Sequence, residues 1–257
     1  SGSQRYAGPV QDPLRDDGHA APGRLVHPDR AGLRPHPQAG HPAEATEARA
    51  LRHLREAICA RFIEKPWRSV TMETPRRAEA GDDYRGVVDD WHARIAAAYE
   101  ALFRQELAEG QTGALLVWGD PALYDSTLRI VERVRDGGLP LDWQVIPGIS
   151  SVQALAARHR IPLNRIGEPV LITTGRKLAD GLPLAPDGVV VMLDGEQAFA
   201  KIPPEGLEIF WGAYLGTPDE ILIAGPLAEV ADDIARVRAA ARERHGWIMD
   251  IYLLRRR

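Results

Sequence analysis

The sequence predicts an α/β protein built as two successive α/β domains. Three observations carry this. Apolar runs alternate with amphipathic helical stretches between residues 114 and 160, the pattern of an open parallel sheet. The turns "WGDP" and "PGISS" both fall at the carboxyl ends of such runs, where sheets of this kind hold ligands. After "IPLNRIGEP" the rhythm changes to three strands, a long helix and a closing strand. A junction is therefore expected near residues 161–167, with residues 51–165 as the first domain and 166–257 as the second.

Residues 1–50 stand apart. They are rich in Pro, His, Arg, Gly and Ala and show neither helical nor strand periodicity. Prolines at 9, 13, 22, 28, 35, 37 and 42 interrupt every stretch long enough for a central strand. Two readings stay open: a disordered basic tail, or an out-of-frame translation of a GC-rich gene. His19–Pro28 can be encoded so that the next frame reads Met-Leu-Arg-Arg-Ala-Asp-Leu-Phe-Ile-Leu, an amphipathic stretch ending in a strand.

Ordinary patterning resumes near Leu51. Leu51, Leu54, Ile58 and Phe62 recur at helical spacing. The segment from Pro66 to Tyr84 is polar and irregular, with room for a short strand. "DDWHARIAAAYEALFRQELAEG" is a helix with Trp91, Ile95, Ala98 and Leu102 on one face and Gly110 at its end. Ala114–Trp118 is a strand apolar on both faces, as a parallel strand should be. A helix follows with Leu128, Val131 and Val134 inward, then the strand "DWQVI" and the helix "SVQALAARHR". In the second domain "VLITTGR", "VVVMLDG" and "EIFWGAY" read as strands. "TPDE" reads as a capping box, with Thr217 as cap, Pro218 in the first turn and Glu220 reaching back. A helix over Val230–Arg244 and the strand "WIMDIYLL" close the chain.

The totals exclude several classes. The 257 residues carry a formal net charge of −4, which leaves no global nucleic-acid footprint. One cysteine, Cys59, rules out a disulfide framework and a cysteine-rich metal site, and packing is its expected role. No apolar run approaches the length of a membrane span, and the start carries no signal-peptide core. A cytoplasmic location is the expectation, and the terminal "RRR" reads as a solvated end.

Each chemical motif has a plain reading beside it. Gly119 allows close backbone approach at a strand end, and Asp120 before Pro121 favours a tight turn. Alone, that is only a βα connection. "PGISS" puts two hydroxyls on a helix N-terminus. That is an ordinary cap unless its free N–H groups meet a ligand. The order V-W-G-D-P-x-x-Y, P-G-I-S-S, V-V-V-M-L-D-G, G-T-P-D-E resembles the tetrapyrrole methylase family. The stretches "NRIGEPVLITTGR", "MLDGEQAF", "FWGAYLGTPDEILIAGPL" and "HGWIMDIYLLRR" resemble its deacetylating branch, which methylates C1 of precorrin-5. The resemblance covers about residues 51–257.

The resemblance implies two α/β domains with an S-adenosylmethionine cleft between them, and no metal. It implies Gly119 and Asp120 beside the methionine part of the cofactor, Tyr124 near it, and Ser150 and Ser151 bonding it. Asp120 and Tyr124 become the catalytic candidates. Leu193 would line the adenine side, with Met192 beside it either core or wall. Tyr214, Leu215, Gly225 and Pro226 would complete the pocket, with Trp247 or Ile248 beneath the ring. Arg165, Arg176 and Lys177 are candidates for the carboxylates of a precorrin substrate. Loss of an acetyl group needs water attack, and Asp120, His92, Asp194 and Tyr214 stay open as the base. The implied partner is a small tetrapyrrole, with no nucleic acid or membrane; a homodimer stays open. The family opens with a strand and a G-x-G-x-G loop, which residues 1–50 lack, so the first strand and glycine loop are expected to be missing or replaced. Rival readings are another precorrin methylase, a diphthine synthase-like enzyme, or an inactive chain without the glycine loop.

Overall fold

The computed structural model describes residues 23–28, 42–64, 66–72, 74–75, 78, 84–182 and 187–257. Its first sheet has three parallel strands, β1 (Gly23–Pro28), β2 (Trp67–Met72) and β3 (Gly113–Leu115), in the order β2-β1-β3. Three helices belong with it: α1 (Pro42–Phe62), α2 (Tyr84–Glu106) and α3 (Thr127–Asp136). Their core joins Trp91, Ile95, Tyr99 and Phe103 of α2 to Ile130 and Val134 of α3, with Met72 and Leu115 from the sheet.

Residues 1–50 depart from expectation in two places. Gly23–Pro28 forms the central strand of this sheet, and α1 begins at Pro42. Pro28 closes the strand, and the five residues before it all keep their N–H groups, so a six-residue strand ending on proline loses little of its ladder. Pro42 takes the first position of a helix, where its missing N–H costs nothing. The remaining prolines at 9, 13, 22, 35 and 37 lie outside the described residues.

Two expected strands are shortened or lost. β3 covers Gly113–Leu115 rather than running to Trp118, and "DWQVI" joins no ladder. Among the described residues β3 is an edge strand, and its outer side pairs with no other strand. Residues 144–149 are exposed, with Ile146 at 69% and Ile149 at 79%. The stripe expected on α1 also faces out: Leu54, Ile58 and Phe62 are exposed, while Arg55 and Cys59 are buried. Arg55 fills the inward position because its guanidinium lies 5.3 Å from the centre of the Trp118 ring.

The second sheet has five strands: β4 (Val170–Thr174), β5 (Gly188–Met192), β6 (Leu207–Ala213), β7 (Ile221–Pro226) and β8 (Asp250–Arg256). Their order is β4-β5-β8-β6-β7. β4 and β5 are parallel, β8 runs antiparallel to both β5 and β6, and β6–β7 is an antiparallel pair. The carboxyl ends of β4, β5 and β6 therefore share one edge with the start of β8. The central strands alternate their contacts: Val189, Val191, Tyr252 and Leu254 face one core, Val190, Ile251 and Leu253 the other.

The first face is covered by α6 (Leu227–His245), by the one-turn helix α5 (Gly175–Leu178), and by a 3-10 turn at Ala198–Lys201. The second is covered by α4 (Ser151–His159), whose Val152 and Leu155 are buried against Val190, Ile251 and Leu253. The helix lies before the junction at 161–167 yet packs on the second sheet. "TPDE" starts no helix. Thr217 Oγ1 donates to the Tyr214 carbonyl, and Glu220 Oε2 accepts from the Gly216 N–H, closing the β6–β7 hairpin. The β-branched and aliphatic run after Glu220 prefers a strand, and the long helix starts only at Leu227.

Candidate active site

Two turns meet at the end of the first unit. At Gly148 a Cβ would lie 2.1 Å from the Gly119 carbonyl oxygen, and one at Gly119 would lie 3.4 Å from Ser150 Cα. Glycine is required at 148 because the two backbones touch. Gly119 has φ +70°, which glycine accepts without strain. Asp120 staples the turns together: its Oδ1 accepts from the Ala122 N–H (2.8 Å) and its Oδ2 from the Gly148 N–H (2.9 Å). The Gly148 bond first, and the Ala122 bond second, hold its carboxyl below the usual aspartate range, so it stays ionised.

Ser150 caps α4, with its hydroxyl accepting from the Val152 N–H and the Gln153 amide completing the capping box. Its hydroxyl therefore serves its own helix, while half-buried Ser151 opens the first turn. Tyr124 bridges to the second sheet, donating from its hydroxyl to the Ile172 carbonyl at 3.2 Å. Burial pushes its phenol up, which keeps it a donor.

The second sheet brings its strand ends to the same region. Leu193 follows β5 and is 41% exposed. Tyr214 and half-buried Leu215 follow β6, and Trp247 and Ile248 precede β8 and pack on the α6-side core. Met192, half-buried, belongs to the α4-side core. Arg176 and Lys177 are exposed on α5 at the end of β4, with Lys177 near Asp180 at 3.4 Å. Tyr124, Leu193 and Tyr214 have φ of 51°, 55° and 50°. Left-handed backbone at a bulky non-glycine residue is strained, and such strain concentrates at functional sites.

Three expected site residues lie elsewhere. Gly225 and Pro226 pair with Ile209 and Glu208, at the opposite end of the hairpin from Tyr214, a separation on the order of 13 Å. They serve the strand-to-helix turn, with Gly225 at φ +156° and a Cβ there only 3.0 Å from Val230 Cγ1. The hairpin explains the misplacement, since its second strand carries the chain away from the site. Arg165 also lies at that far edge. It bonds Asp187 at 3.1 Å and the Arg256 carbonyl at 2.6 Å, and Arg256 pairs with the start of β6.

All four open bases have hydrogen-bond partners, Asp120 through the Ala122 and Gly148 N–H groups already described. Asp194 accepts from the Tyr252 hydroxyl and from the N–H groups of Glu196 and Ala198. Tyr214 donates to the Trp247 carbonyl at 2.6 Å, and burial pushes its phenol up to about 12. His92 Nε2 lies 3.0 Å from Ser126 Oγ, on α2. The sequence reading missed Gly175, Arg238, Asp250 and Tyr252. Gly175 is fixed by Asp194, whose Oδ1 would lie 2.3 Å from a Cβ there. Only the fold reveals these, because each acts through a residue distant in sequence.

Comparison with known proteins gives a consistent result. A family model described as Tetrapyrrole (Corrin/Porphyrin) Methylases matches residues 42–231. The precorrin-6A synthase (deacetylating) of Sinorhizobium sp. is 56% identical over 217 residues, 84% of this chain and 83% of that protein. The precorrin-4 C(11)-methyltransferase of Rhodococcus erythropolis is 26% identical over 151 residues, 52% of this chain and 60% of that protein. A crystal structure of a cobalamin synthesis related protein, CobF, from Corynebacterium diphtheriae superposes with TM-score 0.70 at 35% identity, covering 91% of this chain and 99% of that one. On the extent of the family match and the identity to its relatives, the chain belongs to the tetrapyrrole methylase family.

Proposed function

We propose that the chain is an S-adenosylmethionine-dependent methyltransferase converting precorrin-5 to precorrin-6A, with C1 methylation and release of acetate, in aerobic cobalamin synthesis. The observation that carries this is the stapling of the Gly119 and Gly148 turns by Asp120, with Leu123 and α4 packed against Met192 and Leu215 at the ends of β5 and β6. The 56% identical relative named for this reaction supports the same reading.

Methyl transfer from a sulfonium needs alignment more than acid–base help: the carbon–sulfur bond breaks as the ring carbon takes the methyl. The GDP and PGISS turns would hold the methionine part, with Leu193, Tyr214 and Leu215 on the adenine side. Arg176 and Lys177 are suited to the substrate carboxylates. Asp120 is the site residue best kept as an anion, which suits it to holding a positive group or orienting water.

The test is product mass after incubation with precorrin-5 and S-adenosylmethionine. The expected product gains a methyl and loses an acetyl group, and Asp120→Asn lowers turnover by about tenfold or more. A methylated product that keeps its acetyl group would make this another precorrin methylase. Absence of any cofactor binding would favour the inactive reading, for which the exposed segment 144–149, outside any strand ladder, is the supporting observation.

A further inference from the structure

A buried ionic network lies behind the Leu193 turn. Arg238, on α6, is 5% exposed, and its partner Asp250 opens β8 with its side chain 6% exposed. The guanidinium donates to both Asp250 oxygens, at 2.8 and 3.3 Å. It also donates from Nη2 to the Asp194 carbonyl at 3.0 Å. Trp211 Nε1 donates to Asp250 at 3.1 Å, so the carboxylate has three donors. On the other side of the turn, the Asp194 carboxylate accepts from the Tyr252 hydroxyl at 2.6 Å and from the Ala198 N–H at 2.7 Å. Burial first, then the Asp194 charge, pushes the Tyr252 phenol up, so it stays a donor.

Asp194 immediately follows Leu193, whose φ is 55°. A leucine holds that conformation only where its surroundings over-determine it. The groups on either side of Asp194 do this: one bond fixes its carbonyl and three fix its carboxylate. Arg238 is the link between the turn and the sheet, because only its planar fork reaches Asp250 and the carbonyl together.

We propose that Arg238 is a positioning residue that holds Leu193 in its left-handed conformation by tying the Asp194 carbonyl to Asp250. Its consequence for ligand binding rests on the reading that Leu193 lines the cofactor site. Arg238→Lys keeps a positive charge against Asp250 but cannot serve both acceptors. The experiment is a double-mutant cycle of Arg238→Lys with Leu193→Gly, read as urea midpoints without ligand, alongside calorimetric titration of S-adenosylhomocysteine into the wild type and Arg238→Lys. Glycine adopts positive φ freely. The lysine substitution should therefore shift the midpoint clearly in the wild-type background and much less in Leu193→Gly, and weaken S-adenosylhomocysteine about tenfold. Equal midpoint shifts in both backgrounds overturn the proposal. An affinity unchanged in Arg238→Lys overturns its bearing on the site. If the wild type gives no heat with S-adenosylhomocysteine, the cofactor reading fails, while the ligand-free cycle still decides what Arg238 does. Should Arg238→Lys not fold, Tyr252→Phe removes one hydroxyl from the same turn, and its coupling to Leu193→Gly is read in the same way.

Discussion

Glu220 connects one side chain to the whole site. Its carboxylate pairs with Arg158 on α4 and accepts from the Gly216 N–H in the β6–β7 hairpin. The Arg158 bond first, then the Gly216 bond, holds its carboxyl below the ordinary 4.5. A depressed folded value means that the stabilisation is present above 4.5 and is lost as pH falls through the folded value. Wild type should therefore lose melting temperature as pH falls below about 4.5, and Glu220→Gln should lose less over the same acid range. Equal losses in the two proteins would mean that the pair contributes nothing to acid sensitivity. The same pair shows why "TPDE" misleads as a sequence: its hydrogen-bonding residues are correct for a cap, yet they are used to close a hairpin.

At the scale of elements, α4 has the most to explain. It carries the PGISS turn at its start and buries Leu155 completely beneath the second sheet. Leu155→Ala should cost about 2–5 kcal/mol in a urea titration, with the slope unchanged. A loss under about 1 kcal/mol would show that the helix can collapse onto the cavity or is not held there. The helices were the legible elements in the sequence, since α2, α3, α4 and α6 each carry a periodic apolar face. α1 is the exception, because the spacing of Leu54, Ile58 and Phe62 could not reveal that Arg55 would turn inward. The turns at Asp120 and Ser150 were legible because their glycines and hydroxyls are local signals. The place of Gly225 and Pro226 at the far end of the hairpin from Tyr214, and the reach of Arg238, went unread for a common reason: strand direction and helix rotation decide what lies together, and neither is written in a short motif.

At the scale of the molecule, the two sheets are unequally finished. Among the described residues the second has five strands with helices on both faces, whereas the first has three, the last only three residues long, and Val145, Ile146 and Ile149 are exposed outside any ladder. Replacing residues 1–22 by a segment that supplies a strand and a glycine-rich turn should protect the amides of residues 142–146 from hydrogen exchange and reduce light scattering. Unchanged exchange there would mean that β3 accepts no neighbour. The packing of α4 has a mechanical consequence as well. Tyr124, Leu123 and α4 all hold to the second sheet, and Arg165 and Arg255 pin the junction to β8. The chain therefore passes between the two sheets at three short stretches, residues 116–118, 125–126 and 138–146. A swing between the sheets would bend those stretches, all inside the first α/β unit, before it bent the junction at 161–167, which is bonded to β8.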